Sequence, residues 1–316
     1  LKRPSLKNPK NSVQALISSS DSSFFIPHSS FSSLHTHTVF CDGKDDVETM
    51  CRIAFDKGLA AIGFSAHAPL EKAGLETFWN MKNERMGDYI NEVNAARRRW
   101  EGKLAVYLGL ELDYIKGLRS AWDSDIRECN FDYIIGSVHF VVPPEGAPNG
   151  APFTIDGSAA ELEKGIAEGF AGDGAAMMQA YWDAMAEMIA LGGIDIVGHL
   201  DLVKKNHAAR PWLAMDRIDG IARAIAAAGL VVEVNTGIIN RGYLSEPCPS
   251  PAILRLLRQH NVPVTITADA HRAEHLDGNY PIACQTLLDA GYTSHVTFAG
   301  RKNNKPTWYE QKLFPF

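Results

Sequence analysis

The 316-residue chain has no C-x-x-C pair, and its five cysteines, Cys41, Cys51, Cys129, Cys248 and Cys284, are scattered. That spacing argues against a thiolate zinc knot or a disulfide framework and suits a reducing compartment. Long apolar runs are missing too: none approaches the roughly 18 residues expected of a membrane-spanning helix, and the N-terminal stretch lacks the apolar core of a secretory signal. The expectation is a cytoplasmic protein with no membrane partner. Positive charge is in short supply, with a formal net charge of -6 and no Lys/Arg stripe. Nucleic acid therefore has no electrostatic case as a partner, and a small anionic substrate would need a local basic patch. No internal repeat or low-complexity block interrupts the chain.

What is present is an ordinary globular composition, 46% hydrophobic and 22% charged. The opening "LKRPSLKNPKNSVQALISSSDSSFF" is basic, Ser-rich and nearly free of acids. Residues 1–30 are read as an N-terminal extension, of a composition that also resembles a trimmed organellar transit peptide, and 31–316 as one domain. Within that domain short β-rich runs alternate with segments of helical period. "FSSL", "AAIGFSA", "LAVYLGLEL", "DYIIGSVHF", "IDIVGH", "LVVEVN" and "VPVTITAD" read as strands. Helices are expected at "DVETMCRIAFDKG", where Val47, Met50, Cys51 and Ala54 share one stripe, and over 83–100, 159–191 with a break at "AGDG", 216–228, "SPAILRLLRQH" and 281–290. A short "HVTFA" closes the series.

Seven such strands, each followed by helix or long loop, indicate parallel βαβ units with both sheet faces covered. Polar residues recur at nearly every strand end, as around the mouth of a barrel, so the fold class expected is α/β: a distorted, TIM-like (β/α)7 barrel with its site at the C-terminal mouth. The Pro- and Gly-containing insertion over 141–155 reads as a loop across that mouth.

In chain order the strand ends carry His35 and His37 in "LHTHT", Asp42 in "FCDG", His67 in "FSAHAP", Glu111 in "GLELDY", His139 in "GSVHF", His199 in "VGHLD", and Asp269 with His271 in "TADAH". Alternate residues of an extended segment point the same way, so the H-x-H and D-x-H pairs can each grip one ion. Imidazole and carboxylate donors suit borderline divalent cations such as zinc, manganese or iron. Nine donors exceed the needs of one open ion, so two or three divalent metal ions are implied, with Glu111 placed to bridge. Such a set favours hydrolysis at phosphorus, because cations activate water and steady the charge on attacking and leaving oxygens.

At these residues the chain resembles the polymerase-and-histidinol-phosphatase (PHP) family, and within it the histidinol-phosphatase branch. "LHTHT.FCDG", "GFSAHAP", "GLELDYI.G", "DYIIGSVHF", "FTIDG", "GHLDLVKK", "VEVNTGIINRG" and "PSPAILRLLRQHNVPVTITADAH" carry the resemblance in order from about Leu34 to Gly278. It implies a seven-stranded barrel with a trinuclear centre: His35, His37, Glu111 and Asp269 on one ion, Glu111, His139 and His199 on the second, and Asp42, His67 and His271 on the third. Some family members place His where Asp42 stands, which should lower affinity or alter metal preference there. The reaction implied is hydrolysis of L-histidinol phosphate, with Glu111 at the reacting centre and Asp269 or His271 handling the proton.

For the phosphate, Arg241, Arg119 and Lys204 or Lys205 lie past strand ends. In "FTIDG", Phe153 and Asp156 would offer an aromatic face and a carboxylate to an imidazolium. His28, His207, His260, His275 and His295 are read as surface or core residues. The partner expected is a small phosphomonoester, and the chain a monomer or homodimer. Alternatives of other kinds are a PHP phosphoesterase acting on nucleotides or another small phosphomonoester, a non-catalytic metal-stabilised module, and an amidohydrolase-like barrel. The second would be expected to have lost ligands, and the third lacks a mid-series strand-end Lys for a bridging carbamate.

Overall fold

The structure is a computed structural model that describes residues 31–206, 209 and 215–314; the expected extension over 1–30, with His28, and His207 lie outside them. In chain order the first elements are β1 (Ser32–Ser33), α1 (Val47–Asp56), β2 (Ala61–Phe64), α2 (Met86–Arg99), β3 (Ala105–Asp113), α3 (Ser124–Arg127) and β4 (Tyr133–Ser137). Next come β5 (Phe140–Val141), β6 (Phe153–Thr154), α4 (Ala159–Gly169), α5 (Gly174–Leu191), β7 (Ile196–Val197) and α6 (Met215–Ala228). The last are β8 (Val231–Asn235), α7 (Gly237–Asn240), α8 (Pro251–Gln259), β9 (Val264–Thr267), α9 (Tyr280–Asp289), β10 (Ser294–Lys302) and β11 (Lys305–Lys312).

Local chemistry explains the helix bounds. Asp46 caps α1 by accepting from the Thr49 amide at 2.7 Å, and the stripe Val47, Met50, Cys51 and Ala54 is buried, as its spacing predicts. Ser158 and Glu161 form a capping box at α4, and Asp173 caps α5 after the "AGDG" break.

Seven strands form one parallel sheet in the order β1-β2-β3-β4-β7-β8-β9. The first and last meet beyond their ends: Thr36 bridges Ala270, the His37 amide donates to the Ala270 carbonyl at 2.9 Å, and the Ala270 amide to the His35 carbonyl at 3.0 Å. The barrel is thus closed at its C-terminal mouth, where the sequence puts its polar residues, and the (β/α)7 architecture is the one expected.

"HVTFA" plays a different part from the one expected. It lies in β10, which pairs antiparallel with β11 as a hairpin separate from the barrel sheet. Phe298 and Trp308 of this hairpin pack with Tyr107, Tyr133, Leu34, Ile135 and Ile196 across the N-terminal end of the barrel. Tyr133 lies inside that end, where a Cβ on Gly63 or Gly109 would come within 2.4 Å of its ring or hydroxyl, and its phenol donates to the Leu34 carbonyl. The 141–155 insertion also differs. Its outgoing and returning arms pair as β5 and β6, and Asn149 at its tip donates to the Glu168 carbonyl of α4, so only the segment from Thr154 onward lines the mouth. No described helix is long and apolar enough to cross a membrane.

Candidate metal centre

His35 and His37 follow β1, His67 follows β2, Glu111 lies within β3, and His139, His199 and Asp269 each stand two residues beyond β4, β7 and β9. Asp269 adopts a left-handed backbone (φ 48°), a conformation Asp tolerates better than most residues, and this bends the chain so that Asp269 and His271 both face the mouth. All nine candidate ligands meet at the C-terminal end of the barrel, in or against a cavity of about 850 Å³.

Glu111 sits at the centre. Its Oε2 lies 3.1 Å from His35 Nε2, 3.5 Å from His37 Nε2 and 3.0 Å from His67 Nδ1. Its Oε1 lies 3.0 Å from His199 Nε2 and 3.7 Å from His139 Nε2, and accepts from Ser137 Oγ at 2.7 Å. Asp269 Oδ1 is 3.2 Å from His37 Nε2, and His271 Nε2 is 3.1 Å from Asp42 Oδ2. Donor atoms gather into four overlapping groups: His37, Asp42, His67 and His271; His35, His37 and Glu111; His67, Glu111 and His139; and His35, His199 and Asp269.

Buried charge sets the electrostatics. Burial alone would raise the Glu111 carboxyl, but the imidazoles of His67 and His35 hold it well below the usual range. Burial would depress His35, yet the carboxylates of Glu233, Glu111 and Asp269 raise it well above the ordinary value. His37 falls to about 3, through burial and the neighbouring His271 and His67 rings. The pocket therefore favours positive charge shared between groups and opposes it on the central ring.

Five buried donor or acceptor atoms, His35 Nε2, His37 Nε2, His67 Nδ1, Glu111 Oε2 and Asp42 Oδ1, have no hydrogen-bond partner among the described residues. An unsatisfied buried polar atom costs about 1–3 kcal/mol, so five in one cavity call for a shared partner. A divalent cation accepts lone pairs from both imidazole and carboxylate, and the donor set fits that group.

Arg241, the residue after α7, reaches the cavity, where its Nη2 pairs with Asp269 Oδ2 at 2.9 Å and Nη1 lies 3.4 Å from His271 Nδ1. Lys205 and Asp156 both line the mouth and bind each other at 2.6 Å, with Lys205 Nζ also 4.5 Å from the centre of the Tyr243 ring. Arg119 is a correction. Its fully buried guanidinium is taken by Asp123 at 2.8 Å and Asp125 at 2.7 Å, outside the cavity. Lys204 likewise turns inward to Asp201, Glu246 and the Pro247 carbonyl. Phe153 is the second correction: its ring packs against Gly165 of α4 and Phe170 instead of facing the mouth. The aromatic face comes from the loop after β2, where Phe78 is 88% exposed and Trp79 stacks on Phe140.

Sequence reasoning also missed Asp113, which binds His139 Nδ1, and Glu233, which binds His35 Nδ1 at 2.8 Å. Both belong to period-two pairs, Glu111-x-Asp113 and Glu233-x-Asn235, the same signal as H-x-H. His275, read as a surface or core residue, lines the cavity rim. His260 pairs with Asp219 at 2.7 Å.

Comparison with known proteins follows the same lines. The signature of the PHP domain matches residues 33–237. A probable histidinol-phosphatase of Deinococcus radiodurans is 30% identical over 85% of this chain and 96% of its own length, and a histidinol-phosphatase of Bacillus subtilis is 25% identical over 76% and 92%. Among solved structures, a putative histidinol phosphatase of Listeria monocytogenes superposes with a TM-score of 0.69 at 22% identity, covering 79% of this chain and 98% of that one. The histidinol phosphate phosphatase of Lactococcus lactis, solved with zinc, L-histidinol and phosphate, gives 0.63 at 19% identity, over 86% and 99%. With its motifs in order on a seven-stranded barrel, and the family signature spanning well over half its length, the chain belongs to the PHP domain family.

Proposed function

We propose that the protein is a metal-dependent phosphomonoesterase that hydrolyses L-histidinol phosphate to L-histidinol and phosphate. The observation that carries this reading is the convergence of nine imidazole and carboxylate side chains, five of their atoms without hydrogen-bond partners among the described residues, beneath an arginine at the mouth. The names of its relatives support the substrate, and the zinc, histidinol and phosphate of the Lactococcus lactis structure fit the same chemistry.

On this reading two or three divalent ions, zinc, manganese or iron, would be held by His35, His37, Glu111 and Asp269, by Glu111, His139 and His199, and by Asp42, His67 and His271. When bound, such cations supply a water-derived nucleophile at neutral pH and offset charge on the phosphoryl oxygens. The chain's own residues do the rest. Glu111 holds two subsites at a fixed separation through its two oxygens. Arg241 offers a planar fork to the phosphate, which it reaches by exchanging part of its bond to Asp269. Lys205 adds a second cation on the same rim. Asp269 or His271, adjacent to Arg241, would pass the proton lost by the attacking water to the departing histidinol oxygen. Phe78 with Asp156 forms the wall for the imidazole, in place of Phe153. A cytoplasmic monomer or homodimer accompanies the proposal.

The test is an assay of the purified chain on histidinol phosphate, a nucleoside monophosphate and an aryl phosphate, with and without chelator. Histidinol phosphate should turn over fastest and chelation should stop it. Equal rates on all three would defeat the substrate assignment in favour of a general phosphomonoesterase, and full activity in chelator would defeat the metal.

A further inference from the structure

Of the seven barrel strands, β8 is the one whose end supplies none of the nine candidate ligands. It carries Glu233 and Asn235 instead, two residues apart on one face and both buried. Glu233 makes four hydrogen bonds. Its Oε2 faces His35 Nδ1 at 2.8 Å and Thr267 Oγ at 2.9 Å, while its Oε1 accepts from the His199 amide at 2.6 Å and Asn235 Nδ2 at 2.9 Å. Asn235 Nδ2 also lies 3.4 Å from Asp269 Oδ2. One carboxylate thereby touches groups from β1, the β7 end and β9, and an amide beside it reaches a fourth point of the cluster.

An ionised carboxylate accepts and cannot donate, so the bond between Glu233 and His35 requires the proton to sit on Nδ1. In the neutral ring that a cation requires, the lone pair is then on Nε2, which has no hydrogen-bond partner among the described residues and lies 3.1 Å from Glu111 Oε2. We propose that Glu233 is a positioning residue that fixes His35 as the Nδ1–H tautomer with Nε2 open to a cation, and sets the backbone of His199 with its other oxygen. The inference rests on the metal reading above and extends it to a strand that binds no metal itself.

The sharp consequence concerns Glu233→Gln, which keeps size and shape. Every partner of Glu233 presents a hydrogen: the amide of His199, Asn235 Nδ2, the Thr267 hydroxyl and His35 Nδ1. Turning the new amide nitrogen toward His35 drives that ring to the Nε2–H tautomer, which cannot bind through Nε2. Turning it the other way sets donor against donor at His199 and Asn235.

The zinc-loaded full-length protein is titrated with a chelator of known affinity, and retained zinc is measured by elemental analysis. E233Q should surrender zinc at about 10- to 100-fold lower chelator activity than the wild type. Equal retention by E233Q and wild type would overturn the positioning role, whatever happens to thermal stability. A wild type that takes up no zinc would fail the metal reading itself, a separate outcome. If E233Q does not fold, nitrogen-15 spectra of the zinc-loaded wild type decide the matter: a proton on His35 Nδ1 supports the inference and a proton on Nε2 overturns it.

Discussion

Glu111 is the residue on which the cluster turns, because its two oxygens face imidazoles from β1, β2 and β7 within 3.1 Å. Glu111→Gln keeps the shape but replaces one oxygen with a donor and removes the charge. We expect kcat to fall by more than the roughly 100-fold typical of an outer-shell change, with the denaturant midpoint near that of the wild type. Wild-type turnover together with full metal content would show that Glu111 does not bridge. At this scale the candidate ligands were legible because imidazole and carboxylate residues end successive strands, in period-two pairs after β1 and β9. Arg119 and Phe153 were misread because the sequence places a residue past a strand end without giving its direction. The carboxylates that take Arg119, Asp123 and Asp125, are close by in the chain, and local pairing outcompetes a distant substrate. Glu233 was overlooked because a strand buried on both faces shows no alternation that marks its inner residues.

Among the elements, the loop after β1 ties two parts of the cluster together. Its Lys44 amide donates to the His271 carbonyl at 2.8 Å, and a Cβ at Gly43 would lie 2.4 Å from the backbone of His37 and Thr38. Only glycine fits so close an approach. Gly43→Ala should therefore cost about 1–3 kcal/mol and weaken metal retention around Asp42, His67 and His271, read from urea midpoints and elemental analysis. Unchanged values in both would remove the loop from the site's construction. Strands and helices of the barrel were legible from hydrophobic period, but the partner of β10 was not, since "KPTWYEQK" in β11 is mostly polar, has no fully buried residue and signals no core.

For the molecule as a whole, stability toward acid is tied to His295 in that hairpin. The ring is buried, stacks on Phe31 at 5.3 Å, and both its nitrogens lack hydrogen-bond partners among the described residues. Burial pulls its pKa from 6.5 down to about 4. The unfolded chain thus binds the proton first: the contribution is complete above pH 6.5 and is lost as pH falls toward 4. The loss amounts to about 3 kcal/mol at most. His295→Phe should flatten that part of the curve, measured as urea midpoints at pH 7 and pH 4.5. An identical slope in the variant would clear His295 of the effect. The global architecture was legible from the alternation of elements together with the polar residues at the strand ends. The closing of its lower end was not, because it depends on Tyr133, Phe298 and Trp308 meeting from distant parts of the chain.

That lower end has a kinetic meaning. With Tyr133 and the hairpin aromatics filling it, the vessel is stoppered below and opens at the mouth. On the proposed reading substrate and products share one doorway, so histidinol and inorganic phosphate both have to clear it before the next molecule can be seated.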